Sequence, residues 1–423
     1  MDYSLDTLTN GLRVITSELP NSESATLTVW VAVGSRFEDL KVNGLSHFLE
    51  HMVFKGSKKR PSAKEISEAI DSFGGEFNAS TSKEWTNFYI KARVGKIETA
   101  FDVLSDMVLN PVLDPKEIEK EKGVICEEIS MYEDTPMAKI DDIFENLMFT
   151  GSPMGRDIAG TKESVRGIVK NDFVSYRKSH YVTDNMLLTV SGGIKREEVL
   201  SLAQKYFKDV TNKPKLDYVA FAGKQNKPQL LLRSKKNEQA HLILGFRGNK
   251  RGHEKKYEEA ILDTILGGGM SSRLFIEVRE RRGLAYAVKT SAEHYRETGY
   301  FATYAGVDLK RIDEAIKVIL DQMYGLANRE YKISSREFTK AKEYIKGHMA
   351  LSLEDTRAIN GFFGLQQLLL DKIETPKEMI DKIEKVKLEN VCDYAAEIFK
   401  PGTLNLAIIG PYNDPERFKK LLG

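Results

Sequence analysis

The sequence predicts an α+β protein made of two tandem copies of one domain, each an antiparallel β-sheet with helices packed on it. Three observations carry this expectation. Stretches of period-two apolar alternation are interleaved with stretches of helical period. The second half repeats the pattern of the first at an offset of about 213 residues, slightly larger further along the chain. A polar, turn-rich stretch over residues 208–226, containing Asn212-Lys213-Pro214 and Lys224-Gln225-Asn226, separates the copies. A chain of 423 residues has room for two or three domains; the repeat divides it into residues 1–215 and 225–423. At 41% hydrophobic and 30% charged it has the composition of a globular chain. Lys plus Arg total 63 against 62 acids, a net charge of +1 that offers no bulk attraction to nucleic acid. No apolar run approaches the length of a spanning helix, and mean hydropathy is -0.37. The first residues form neither a basic start nor an apolar signal core, so a cytoplasmic protein without a membrane partner is expected. Cys126 and Cys392, the two cysteines, exclude a disulfide framework or a cysteine-based zinc site.

The elements follow in order. Asn10-Gly11 is a hairpin turn, and Thr26–Val33 alternates as a half-buried strand. Lys41–Phe54 has a helical period. Ser62 with Glu65 forms a capping box that opens another helix, stopped at Gly74-Gly75. Strands at 76–82 and 85–94 precede a helix from 96 to Leu109. Asp114-Pro115 with Glu117 starts the next, with an N-cap, Pro at the first position and an acid in the first turn. Asn185–Val190 reads as a strand and Arg196–Phe207 as a helix.

In the repeat, Gly44–Val53 lies over Tyr257–Leu266, so Phe48 meets Ile261, Leu49 meets Leu262 and Val53 meets Leu266. Thr86–Val108 and Gly299–Met323 share a strand-then-helix pattern, and Asn185–Val190 pairs with Leu404–Ile409. His47 maps to Ala260 and His51 to Thr264. Only the first copy carries the histidines.

His47-Phe48-Leu49-Glu50-His51 places two of the chain's seven histidines at i and i+4, on one helix face. Leu45, Phe48, Leu49, Met52 and Val53 form the apolar stripe that packs the helix. His47, Glu50 and His51 lie opposite it, facing a cleft or solvent, so a pair of ordinary core histidines is the weaker reading. Both imidazoles can reach one ion, and His-x-x-Glu-His is the inverted zinc-peptidase signature. Zinc lowers the pKa of water toward about 7; Glu50 beside it can take the proton and pass it to a leaving amine.

A catalytic zinc needs a third protein ligand. The acid-rich helix from Pro115 buries Ile118, Ile125 and Ile129. Glu121 and Glu128 flank that stripe, whereas Glu127 points to solvent. Glu128 is therefore the expected ligand, with Glu121 as a nearby carboxylate that orients the site.

On these residues the chain resembles the M16 zinc metallopeptidases: pitrilysin, insulin-degrading enzyme and the processing-peptidase β subunit, here in the short bacterial form. The family pattern is His-x-x-Glu-His, 76 residues, then Glu, which falls on Glu128; a second acid seven residues earlier matches Glu121. Gly44–Gly56 and Glu119–Ile125 are close to the processing-peptidase form, and the likeness spans the whole chain. The resemblance implies a half-clamshell of the M16/LuxS type, one Zn2+ per chain and peptide substrates. It implies that Arg279 and Tyr286, within Arg279-Glu280-Arg281-Arg282-Gly283-Leu284-Ala285-Tyr286, hold substrate near the metal. It implies that an edge strand matching Phe77, Asn78, Ala79, Ser80 and Thr81 pairs with substrate backbone. Four such domains enclose a chamber in long members, so a homodimer is expected. The alternatives are a catalytic subunit needing a different, non-catalytic partner, and a structural or binding protein of the same fold. Gly267-Gly268-Gly269-Met270 lacks the Gly-Lys-Ser/Thr of a phosphate loop and reads as a turn between helices.

Overall fold

The structure, a computed structural model, describes residues 2–422. Among them, eleven strands form two sheets and the chain divides into two compact units. The first unit runs to Ser130, resumes over Arg156–Val219 and takes in Leu351–Thr375. The second consists of Met131–Gly155, Ala220–Ala350 and the chain from Pro376 on. Each unit thus includes one segment from the other half of the sequence, and the reason lies in its sheet.

In the first unit the strands are β1 (Ser4–Thr7), β2 (Arg13–Glu18), β3 (Ser24–Val31), β4 (Glu76–Thr81), β5 (Thr86–Arg93) and β6 (Met186–Gly192), in the order β1-β2-β6-β3-β5-β4. All neighbours are antiparallel except β2 and β6. Gly11, at φ +90, makes the β1–β2 turn. One face of β3 packs Ala25, Leu27 and Val29 into a core shared with Phe101 and Leu104 of the helix Ile97–Leu109. The alternation of β3 predicts that its other face is wet. Instead the helix Thr356–Leu370 covers it, and β3 is buried on both sides. The polar face accommodates this because Asn360 bonds it. The Asn360 Nδ2 donates to Thr26 O (2.7 Å), Thr28 Oγ1 (3.0 Å) and Thr189 O (3.1 Å), and Ser191 Oγ donates to Asn360 Oδ1 (2.6 Å).

The second unit repeats the arrangement with β7 (Gln229–Ser234), β8 (Gln239–Gly248), β9 (Ala285–His294), β10 (Gly299–Asp308) and β11 (Leu404–Gly410), in the order β7-β11-β8-β10-β9. Again one pair, β7 with β11, is parallel. Strands β2, β6, β3, β5 and β4 correspond to β7, β11, β8, β10 and β9. One face carries the helices Lys256–Gly267, Ile312–Ala327 and Leu388–Ile398. The other is covered by Pro136–Met148, whose Ile140, Phe144 and Met148 pack on Ile243, Ala302, Ala407 and Ile409. Gly245 makes this possible: a Cβ there would lie 2.7 Å from the Phe144 ring. No helix among the described residues is long and apolar enough to cross a membrane.

Replacing Asn360, 1% exposed, by Leu leaves Thr28 and Ser191 hydroxyls without their partner. The expected cost is about 2–4 kcal/mol, a fall in Tm of roughly 5–10 °C; an unchanged Tm would show that these bonds do not hold the helix on the sheet.

Asp263, at the repeat equivalent of Glu50, provides a second test. Burial pushes its carboxyl up to about 6, against a hydrogen bond from Thr290 and with Glu259's charge adding to the shift. The folded form therefore binds the proton more tightly than the unfolded chain, whose value is the ordinary 3.8. The contribution to stability is full below pH 4 and is lost as pH rises through 6, up to about 3 kcal/mol. Metal-free Asp263→Asn is expected to melt above wild type at pH 7.5, with the gain shrinking toward pH 4. A pH-independent difference would remove Asp263 as the cause.

Candidate metal centre

The histidines stand on the helix Leu45–Val53, shorter than the 41–54 periodicity predicts. Gly44, at φ +98, breaks it from a preceding 3₁₀ turn, Leu40–Val42. Leu45, Phe48, Leu49, Met52 and Val53 are at most 2% exposed. His47, Glu50 and His51 are half-buried on the opposite face.

The helix Pro115–Asp134 comes alongside, its first turn capped by Asp114 Oδ1, which accepts from Lys116 N (2.7 Å). Ile118 and Ile125 are buried, Glu127 is exposed, and Glu128 turns toward the histidines. Its oxygens lie 3.7 Å from His47 Nε2 and 3.5 Å from His51 Nε2. The two imidazole centroids are 4.6 Å apart. One ligand atom from each of His47, His51 and Glu128 fits within 4.8 Å of the others. Two imidazole nitrogens and a carboxylate oxygen are the donor types of a three-ligand catalytic zinc set.

The electrostatics fit that group. Burial, with His51 adding, pushes His47 down to about 4, so its imidazole is neutral near pH 7 with a lone pair to offer. His51 Nδ1 lies 2.9 Å from Glu121 Oε1. Glu121, 2% exposed, feels burial pushing it up, but bonds from His51 and Lys55 outweigh this and hold it below the ordinary carboxylate range. As a carboxylate it accepts from Nδ1–H, leaving the His51 Nε2 lone pair turned to the metal position. Lys55 Nζ is 2.7 Å from Glu121 Oε2. Burial raises Glu50, and Glu128's charge adds to this, against the pull of Thr81 and His51. Thr81 Oγ1 donates to Glu50 Oε2 at 2.5 Å.

Neither Lys55 nor the contact between Thr81 and Glu50 is expected from the sequence. Lys55 continues the i, i+4 step beyond His47 and His51, and that spacing is the signal that could have found it. Thr81 enters as an edge-strand residue, and its bond to Glu50 has no local signature. Asn78, Ala79, Ser80 and Thr81 lie on β4, at the sheet edge, with β5 as partner on one side.

In the second unit, helices end at Gly267 and resume before the π-helical turn Phe275–Glu280, so the glycine run is a turn between helices. The Arg279 guanidinium sits 4.8 Å from the Phe275 ring and 4.9 Å from the Tyr286 ring. Tyr286 is 76% exposed at the start of β9. Both line a cleft of about 460 Å³ with Met137, Phe275, Val288 and Tyr304. Arg279 and Tyr286 are thus brought together; Ala260 and Thr264 replace the histidines on Lys256–Gly267, where Thr264 Oγ1 bonds only its own helix, at Ala260 O (2.8 Å).

Residues 13–162 match the family model described as Insulinase (Peptidase family M16), and residues 167–345 that described as Peptidase M16 inactive domain. The uncharacterized zinc protease YmxG of Bacillus subtilis is 37% identical over 409 residues, spanning 96% of this chain and 97% of the relative. An uncharacterized zinc protease of Streptomyces coelicolor is 34% identical over 418 residues, 97% of this chain and 90% of its own length. Among solved structures, a protease from Helicobacter pylori matches with a TM-score of 0.91 at 22% identity, covering 97% of this chain and 99% of that one. A chain of Complex III2 from Candida albicans matches at 0.85 and 18% identity, covering 99% of both. These structural likenesses speak to the fold. The two family matches and the relatives above 30% identity speak to descent: the chain belongs to peptidase family M16.

Proposed function

We propose that the protein is a zinc-dependent endopeptidase acting on peptides or unfolded segments, with one Zn2+ held by His47, His51 and Glu128. The observation that carries this reading is the convergence of those three ligands beside a half-buried Glu50 whose carboxyl is pushed upward. When bound, zinc supplies Lewis-acid chemistry, polarising a peptide carbonyl and acidifying water. Glu50 takes the water proton on its carboxylate and returns it to the leaving amine nitrogen, a role suited to a raised carboxyl. Thr81 fixes the Glu50 rotamer, and Glu121, anchored by Lys55, fixes the His51 ring. The open edge of β4 at Asn78–Thr81 accepts extended substrate by backbone pairing. Arg279, held against the Phe275 and Tyr286 rings with Nε 3.7 Å from Glu280 Oε1, and the Tyr286 hydroxyl donate to a substrate carbonyl or a developing oxyanion.

Conversion of Glu50 to Gln is expected to leave zinc content unchanged and lower kcat by roughly 10²–10⁴-fold on a peptide library. Undiminished cleavage by a metal-loaded Glu50→Gln protein would sink the mechanism.

Because histidines and the Arg–Tyr pair stand on different copies of the repeat, the active form is proposed to be a homodimer. Its two chains supply four domains around a chamber, with the metal of one chain facing Arg279 and Tyr286 of the other. Mixing Glu50→Gln with Arg279→Ala chains, each inactive alone, is expected to restore up to about half of the sites in mixed dimers. Mixed dimers without activity would overturn the shared site. A monomer that gains activity only with a different chain would favour the reading as a catalytic subunit with a non-catalytic partner.

A further inference from the structure

The histidine helix has an unusual start. The first backbone N–H groups of any helix lack intrahelical partners and are commonly satisfied by the side chain of the N-cap residue. Here the N-cap is Gly44, which has no side chain to offer. Nor can it be replaced by a capping residue: φ is +98, and a Cβ would lie 2.5 Å from Ala159 O. The donors are instead met from outside the helix. Glu38, 4% exposed, accepts from Gly44 N at Oε2 (2.7 Å) and from Ser46 N at Oε1 (2.6 Å). Asn43 Nδ2 donates to Oε2 as well (3.0 Å).

Glu38 is itself held in place. Arg156 Nη1 donates to its carbonyl (2.9 Å), and Asn43 is tied to the same segment through Asp157 O (3.1 Å) and Ser164 Oγ (2.7 Å). On the helix side, Ser46 Oγ and Tyr176 OH are 2.5 Å apart. Both carboxylate oxygens therefore face donors, and these bonds work against the burial that pushes the Glu38 carboxyl above its ordinary range. His47 is the residue after Ser46, within the first turn.

We infer that Glu38 is a positioning residue for the metal centre: by taking the Gly44 and Ser46 N–H groups it sets the register of the helix that presents His47 and His51. This rests on the reading of His47, His51 and Glu128 as metal ligands. A Gln at 38 keeps the size but turns an NH2 toward one of three donors. Its expected effect is a 10–100-fold loss of affinity for zinc, the range found for residues that orient metal ligands.

The test measures zinc affinity by chelator competition, and the visible spectrum of the cobalt(II)-loaded protein, on the full chain. Wild type, Glu38→Gln, Glu38→Asp, His47→Ala and Asn360→Leu are compared. The inference expects Glu38→Gln to weaken zinc binding 10–100-fold with an altered cobalt spectrum, and Glu38→Asp to fall between it and wild type. Asn360→Leu, destabilised away from the metal, is expected to bind zinc as wild type does. Zinc binding by Glu38→Gln within twofold of wild type overturns the inference, as does an equal loss in Asn360→Leu. If Glu38→Gln does not fold, Glu38→Asp decides: a loss of fivefold or more supports the inference, and affinity within twofold of wild type overturns it. If wild type and His47→Ala bind zinc alike, the ligand reading itself has failed.

Discussion

The proposed metal centre depends on the register between two helices that are distant in sequence, Leu45–Val53 and Pro115–Asp134. Two imidazoles on one helix face can share an ion, but the third donor must arrive from a second helix at the right height and rotation. Burial enforces this. Phe48, Leu49 and Met52 belong to the same buried cluster as Ile118, Ile125 and Cys126, so neither helix can rotate without exposing apolar surface. The Glu121–His51 bond then locks the pair two turns above Glu128. Close packing makes such a register discrete rather than adjustable.

The sheets supply the platform. Each is covered on both faces, and in each unit the second face is covered by a helix from the other half of the chain. The chemistry of the two contacts differs. Pro136–Met148 meets β8 and β11 through apolar side chains, with Gly245 admitting Phe144. Thr356–Leu370 meets a face of Thr and Ser hydroxyls and satisfies it through Asn360. Duplication has thus preserved topology while changing what fills the interface. The same divergence marks the two equivalent helices: the first keeps His, Glu and His, and the second keeps only an acid, Asp263, where Thr290 Oγ1 donates to the backbone carbonyl (3.0 Å) whereas Thr81 donates to the Glu50 carboxylate.

Much of this was legible in the linear chain because it is periodic. Asn10-Gly11, the Ser62 capping box and Pro115 mark element ends through local backbone chemistry. The stripe Leu45-Phe48-Leu49-Met52-Val53 assigns the histidines to the opposite face by rotation alone. The same rotation separates Glu128 from Glu127, one half-buried and turned toward the histidines and the other exposed. The wet face expected of β3 is the instructive exception. Alternation reports which side chains are polar, and a polar face can be buried when a partner such as Asn360 satisfies it.

By itself, then, the sequence determined the α+β repeat, the polar face of the histidine helix and the acid that joins it, since each follows from spacing along one element. Only the tertiary structure decided what surrounds those residues: Thr81 on Glu50, Glu38 on the first turn, and Thr356–Leu370 on the first sheet. The physical reason is common to all three. A hydrogen bond or a covered face between elements far apart in the chain leaves no period in either, and becomes definite only when burial brings donors and acceptors to a place where water cannot replace the partner.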